Sequence, residues 1–190
     1  MNHELSILIP ALNEADNIGQ LISRLTERLK SLTPSFEILV IDGGSKDNTR
    51  AVAKDAGARV IVQKTKGYGA AFKEALSNCS GAYIITMDAD FSHDPYFVQD
   101  MWNNRLKADM IIASRYVPCG ISDAPLSRRI LSKILNTVFA FFIKMPVKDY
   151  SSGFRMYRRD RLNELSIQSN DYNILEEVLI RYYCDGNTVL

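Results

Sequence analysis

A chain of 190 residues that is 46% hydrophobic and 24% charged can bury one real core, which excludes a disordered or fibrous polypeptide. Its formal net charge of +1 excludes a global polyanion-binding surface, so no nucleic acid is expected and any anion site must be local. Cys79, Cys119 and Cys184 stand far apart without metal-ligand spacing, which predicts reduced structural thiols in a cytosolic protein.

Met1-Asn2-His3-Glu4 leads directly into a strand, so no signal peptide is read, and no stretch reaches the ~20 apolar residues of a membrane span. The apolar run over 5–9, closed by Pro10, predicts a strand buried on both faces. Ile18, Leu21, Ile22, Leu25, Leu29 and Leu32 recur at helical steps, with Asp16 placed to cap the start. A second buried strand over 36–41 ends at Asp42 and is followed by the turn Gly43-Gly44-Ser45. A short helix then runs from Asn48 or Thr49 to Ala56. Further strands are expected over 60–62, 83–87 and 110–113, with a helix over 69–79 and another opening at Pro95 under an Asp94 cap. Strands alternate with helices through about Ser114, which predicts an α/β layer with a mostly parallel sheet and a more helical half from about Pro125. No linker or repeat interrupts the chain, so 1–190 reads as a single domain.

Ligand sites in such sheets lie at the carboxyl ends of the strands. The segments 10–14, 42–45, 88–90 and 114–115 all fall there, which argues for one cleft. The most informative is Met87-Asp88-Ala89-Asp90. Side chains alternate along an extended chain, so Asp88 and Asp90 point the same way with α-carbons roughly 7 Å apart. Two hard oxygen donors at that spacing suit a divalent metal with positions left open for phosphate oxygens. A solvated strand-end turn is the competing reading. A dinucleotide fold of the dehydrogenase type needs Gly-x-Gly-x-x-Gly after the first strand. Here Pro10-Ala11-Leu12-Asn13-Glu14 stands there, and Gly67-Tyr68-Gly69 follows the third strand with Phe72 in the third glycine position. The Walker pattern is absent as well, so a bound diphosphate would be neutralised by metal and arginine.

Three segments together resemble the GT-A-fold glycosyltransferases of family 2: Ile9-Pro10-Ala11-Leu12-Asn13-Glu14, Val40-Ile41-Asp42-Gly43-Gly44-Ser45-Lys46-Asp47-Asn48-Thr49 and Asp88-Ala89-Asp90. Three more are similar to dolichol-phosphate (polyprenol-phosphate) mannosyltransferases: Asp88-Ala89-Asp90-Phe91-Ser92-His93-Asp94-Pro95, Ala113-Ser114-Arg115-Tyr116 and Asp149-Tyr150-Ser151-Ser152-Gly153-Phe154-Arg155. The resemblance covers nearly the whole chain and implies a Rossmann-like three-layer αβα fold with a mostly parallel central sheet. It implies that Pro10, Leu12, Glu14, Val40 and Asp42 hold the nucleoside, and that Asp88, Ala89 and Asp90 contact donor and metal. Ser92 takes the place of a further ligand; His93 reads as a neutral loop histidine or an additional one. Arg115 would pair with the donor diphosphate, where a planar fork suits phosphate oxygens. Arg129, with Ser132 on the same segment, would meet the acceptor phosphate. The helix over 127–142 and the residue after it are apolar nearly all round at Ile134, Leu135, Val138, Phe139, Phe141, Phe142 and Ile143, which fits the bilayer interface, an internal core or an oligomer contact. Segment 149–155 would shape the sugar and acceptor pocket, with Arg155 adding positive charge, or form an ordinary turn.

The activity implied is metal-dependent (Mg2+ or Mn2+) inverting transfer of a hexose, mannose from GDP-mannose, to a polyprenyl phosphate. Asp90, Arg115 and Arg129 would be its catalytic residues. The expected setting is cytoplasmic, peripheral to the membrane face. UDP-glucose or another UDP-sugar as donor, a glycan hydroxyl as acceptor, and a non-catalytic sugar-nucleotide-binding domain are the alternatives. A hydroxyl acceptor would need a general base, for which Glu176 and Glu177 are the late candidates. By the resemblance a further strand and a basic loop closing over the donor phosphates follow the residues present here, and in many members membrane helices too.

Overall fold

A computed structural model of the chain describes residues 3–114, 147 and 149–190. Arg115, Arg129 and Ser132, the apolar segment 134–143 and Cys119 lie outside the described residues. Five elements come first: β1 (Leu5–Ala11), α1 (Ala15–Leu32), β2 (Phe36–Asp42), α2 (Thr49–Asp55) and β3 (Arg59–Val62). They are followed by α3 (Tyr68–Asn78), β4 (Tyr83–Thr86), α4 (Phe97–Asn104) and β5 (Met110–Ile112). The last described elements are β6 (Arg155–Arg158), α5 (Arg159–Asn163) and α6 (Ile174–Cys184).

The six strands form one sheet in the order β3-β2-β1-β4-β6-β5. Strands β1 to β4 run parallel, while β6 is antiparallel to both β4 and β5, so the sheet is mostly parallel as expected. Alternation along β1 feeds two cores. Leu5, Ile7 and Ile9 face α1, α2 and α4, meeting Ile18, Leu21, Ile22, Leu25, Ala53 and Trp102. Leu8, with Leu39 and Ile41 of β2, faces α3, α5 and α6 through Phe72, Ala75, Leu162, Val178 and Tyr182. Covering both faces explains why these strands read as unbroken apolar runs. This is a three-layer αβα sandwich.

Three expectations change. Asp16 does not cap α1: Glu14 is the N-cap residue and no side chain caps it from within the helix. The preceding amides are served instead by the neighbouring loop, Glu14 N–H donating to Thr49 Oγ1 at 2.8 Å and Ala15 N–H to Asp47 Oδ2 at 3.1 Å. Helix α4 begins at Phe97; Asp94 organises the turn before it by accepting the Tyr96 N–H at 2.9 Å. The sequence assigns 149–155 to the sugar and acceptor pocket or to an ordinary turn and no strand beyond it, whereas Arg155–Arg158 form strand β6. It is short and carries Arg155 and Arg158 among apolar residues, so period-two patterning does not announce it.

At the far edge the chain returns beside β5, where Met110 bridges Val189 and Ile112 N–H donates to the Leu190 carbonyl at 2.9 Å. Among the described residues no helix is long and apolar enough to cross a membrane, and the cysteines, buried Cys79 and exposed Cys184, are free.

Glu177 of α6 accepts the amides of Gln168 and Ser169 at 2.9 and 2.8 Å and Arg181 Nε at 2.9 Å. Burial raises its pKa, but the Ser169 and Gln168 hydrogen bonds and Arg181 outweigh this and hold it down to about 2. A depressed carboxylate contributes stability that is fully present above the unfolded value near 4.5 and is lost as pH falls toward 2. Glu177→Gln is therefore expected to cost about 1 kcal/mol at neutral pH, after allowance for solvent screening, with the deficit vanishing near pH 2. Urea denaturation across that pH range checks it.

Candidate active site

Loops 10–14, 42–49 and 87–93 leave the sheet side by side, because Ala11 pairs with Asp42 and Leu8 with Thr86 at the carboxyl ends of β1, β2 and β4. Segment 149–154 enters from the same side, since antiparallel β6 begins at Arg155 opposite Thr86. Ser152 Oγ donates to the Ala113 carbonyl at 3.0 Å, which ties that segment to the end of β5. The described parts of the segments singled out in the sequence thus converge on one edge.

The first two loops are stitched together. Asn13 sits in the left-handed region at φ 57°, which asparagine tolerates better than most side chains. There its N–H donates to Ser45 Oγ and its Oδ1 accepts the Lys46 N–H, both at 2.9 Å. Leu12 is left 57% exposed at the mouth of the cleft, an apolar surface suited to a flat base. Pro10 and Glu14 are partly buried, and Glu14 Oε2 accepts from Asn17 Nδ2 at 2.9 Å. Val40 lies wholly in the core. Asp42 is also fully buried; its carboxylate accepts the amides of Gly44 and Ser45 at 3.2 Å and lies 3.5 Å from Arg50 Nε. In this geometry Asp42 shapes the turn rather than presenting an oxygen to solvent.

Strand β4 stops at Thr86, so Asp88 and Asp90 lie on the tail beyond it. Burial still alternates there: Met87 and Ala89 are buried, Asp90 is exposed and the Asp88 side chain is 41% exposed. Both carboxylates face outward while the residues between them anchor the tail in the core. Asp90 Oδ1 accepts the Ser92 N–H at 2.9 Å. Burial raises the Asp90 pKa, but hydrogen bonds from Ser92 and the nearby His93 outweigh it and hold the carboxyl below its usual range. Ser92 is thus engaged in orienting Asp90. His93 Nδ1 accepts the Asp88 N–H at 3.0 Å, its Nε2 lies 3.7 Å from Asp88 Oδ2, and its ring stacks on Phe154 at 5.0 Å. With Nδ1 taken as an acceptor, the proton of a neutral ring sits on Nε2, toward Asp88. Between the two lies Phe91 at φ 60°, a bulky residue in a conformation that is a genuine outlier, with Arg24 5.2 Å over its ring.

Among the described residues no group of three or more His, Cys, Asp and Glu could hold a metal. A pair of outward carboxylates leaves most coordination positions to water and phosphate oxygens, which is how Mg2+ is commonly held beside a nucleotide. Asp88 and Asp90 are two outward carboxylates of that kind.

Two residues near the couple have roles the sequence did not disclose. Arg155 is fully buried; its Nε donates to the Ser152 carbonyl at 2.7 Å, Nη1 to Leu175 at 2.6 Å and Nη2 to Tyr150 at 2.5 Å. It braces the 149–154 loop against α6 and adds no charge to the cleft surface. Tyr68, at the start of α3, places its hydroxyl beside Gly153 and near Asp88. The Gly67-Tyr68-Gly69 triplet does not complete a dinucleotide pattern. Its glycines signal instead a close backbone approach: a Cβ on Gly69 would come within 2.7–2.9 Å of the 169–171 backbone. Glu177, the candidate base, is spent on the 168–169 amides. A separate concavity lies at the opposite edge among Thr26, Phe36, Ala56 and Arg59, where Glu37 is already engaged by Ser6, Ser80 and Arg59.

The αβα sandwich with a carboxylate couple beyond its fourth strand is of the GT-A type. Residues 6–166 match the family model of glycosyl transferase family 2, and the chain belongs to that family. It is 30% identical over 176 residues to the glycosyltransferase AglJ of Haloferax volcanii, covering 92% of this chain and 56% of that protein. It is also 30% identical over 189 residues to the dolichol-phosphate mannosyltransferase of Pyrococcus furiosus, covering 94% and 53%. The chain thus spans about half the length of these curated relatives. A crystal structure of glucosyl-3-phosphoglycerate synthase from Mycobacterium tuberculosis, in complex with Mn2+, UDP and phosphoglyceric acid, superposes with a TM-score of 0.74. That match has 22% identity and covers 98% of this chain and 67% of the synthase.

Proposed function

We propose that this domain transfers a hexose, mannose from GDP-mannose, to a polyprenyl phosphate with inversion at the anomeric carbon. The observation that carries the reading is the outward-facing Asp88 and Asp90 pair beside loops 10–14 and 42–49 on the carboxyl edge of the sheet. The likeness to the Pyrococcus furiosus dolichol-phosphate mannosyltransferase supports the acceptor and the sugar.

In this reading Pro10, Leu12 and Glu14 receive the nucleoside, with Val40 and Asp42 supporting them from behind. Asp88 and Asp90 hold Mg2+ or Mn2+, with Ala89 beside the donor and Ser92 turning the Asp90 carboxylate. Bound by these carboxylates, a divalent ion would supply charge to stabilise the departing diphosphate. Arg115 pairs with the same diphosphate. Arg129, with Ser132, receives the acceptor phosphate, which lets two anions approach that otherwise repel. The acceptor is already ionised at neutral pH, so no side chain need remove a proton; the commitment of Glu177 to backbone amides agrees with that. The whole enzyme would work at the cytoplasmic membrane face, where its lipid acceptor resides.

The test is thermal-shift titration with GDP-mannose, UDP-glucose and free nucleotides, each with and without Mn2+. GDP-mannose is expected to raise Tm only when Mn2+ is present, because a ligand that binds the folded state alone stabilises it. Stabilisation by UDP-glucose in preference to GDP-mannose would replace the donor assignment. Equal stabilisation with the metal chelated would remove the cation from the scheme.

A further inference from the structure

The strand order gives the cleft a direction. Loops 10–14 and 42–49 leave β1 and β2; Asp88 and Asp90 follow β4; segment 149–154 leads into β6 on the far side of the couple. A donor laid across this edge with its nucleoside over β1 and β2 and its diphosphate at the couple carries its sugar toward β6. There the Tyr68 hydroxyl, the Gly153 backbone and the Asp88 carboxylate come close together. A Cβ on Gly153 would stand 3.1 Å from the Tyr68 hydroxyl and 3.8 and 3.9 Å from the two carboxylate oxygens of Asp88. Residue 153 is buried, and as glycine it lets the phenol and the carboxylate approach its backbone this closely. Gly153 is itself held in place by its carbonyl, which accepts Thr86 Oγ1 at 2.7 Å.

Tyr68 is fixed from behind. Its ring stacks on Tyr172 at 4.8 Å and 17°. The start of its helix is clamped by Ala70 N–H to the Asn170 carbonyl at 3.0 Å and by Lys73 Nζ to Asn170 Oδ1 at 2.6 Å. Its hydroxyl has no hydrogen-bond partner among the described residues, although the ring is partly buried. A phenol held with its donor unspent beside a carboxylate is arranged for a group that both accepts and donates. A sugar hydroxyl does both, whereas a phosphate oxygen only accepts.

We propose that Tyr68 is a specificity-determining residue whose hydroxyl, held beside Gly153 and Asp88, donates to a ring hydroxyl of the transferred sugar. This rests on the reading of the cleft as a nucleotide-sugar site. It assigns to α3, an element outside the acidic couple and the nucleoside loops, the recognition of the sugar itself.

Tyr68→Phe keeps the ring and its stack on Tyr172 while removing the donor. Calorimetric titration with Mn2+ present compares the free nucleoside diphosphate with its sugar conjugate, using whichever of GDP-mannose and UDP-glucose the unmodified chain binds better. The expected result is an unchanged affinity for the diphosphate, an affinity for the conjugate weakened about tenfold, and an unchanged Tm. Gly153→Ala, whose added methyl would crowd the Tyr68 hydroxyl, is expected to weaken the conjugate in the same direction. Equal affinity of the Tyr68→Phe variant for the conjugate overturns the assignment, as does a parallel loss for diphosphate and conjugate. Failure of the unmodified chain to bind any nucleotide or nucleotide sugar overturns the site reading first, and this proposal with it.

Discussion

Asp90→Ala is expected to lower sugar transfer by about a thousandfold or more while leaving Tm within a degree or two of the unmodified protein. The first half follows from the proposed chemistry. Removing one of two protein ligands from a hard cation forfeits most of the charge that stabilises the departing diphosphate, and losses of this size accompany removal of a single electrostatic group at the reacting centre. The second half follows from the geometry. Asp90 is exposed and its recorded hydrogen bond is to the amide of Ser92, two residues away, so its loss frees a local turn and opens no cavity. Radiolabelled transfer to a polyprenyl phosphate, run beside a melting curve, reads both. Undiminished transfer by the variant with the metal chelated would end the assignment of Asp90 to cation binding. A variant that unfolds would mean the Ser92 turn braces the structure.

Arg155→Met is expected to destabilise the fold by about 3–5 kcal/mol, a large share of the 5–15 kcal/mol typical of a domain. Methionine can replace the apolar stem. It cannot donate to the carbonyls of Tyr150, Ser152 and Leu175, and buried acceptors left without partners cost about 1 kcal/mol or more each. Those three carbonyls belong to the loop ahead of β6 and to α6, so the damage would spread from the cleft wall into the second core. Guanidinium denaturation measures it. A loss below 1 kcal/mol would show that water can enter and satisfy the carbonyls.

The first half of the fold was legible because each element there obeys one period. The apolar runs of β1 and β2, the helical spacing of α1 and the Asp-bearing tail after β4 all stand where the residue pattern puts them. What the pattern concealed depends on partners distant in sequence. The start of α1 is served by Asp47 and Thr49 across a loop, a substitution for local capping that no inspection of Asp16 reveals. Arg155 reads as surface charge until its carbonyl acceptors, one of them 20 residues further on, are known. Asp42 reads as a ligand until its carboxylate is found folded back on Gly44 and Ser45. Tyr68 shows the same limit: flanking glycines mark a tight approach, but only the fold shows that Asn170 is what approaches. The Asp88 and Asp90 pair was readable because alternation persists past the last hydrogen-bonded residue of β4.

The place of β6 also bears on how the chain acquires its shape. It inserts between β4 and β5, although both precede it in sequence. Until Arg155–Arg158 arrives, β5 lacks the strand that joins it to the rest of the sheet, and the edge of β4 is open. A nascent polypeptide released before that point would display an unpaired, largely apolar ribbon, the kind of template that recruits other copies. Completing the sheet therefore requires a late, long-range pairing, a kind of contact that slows folding.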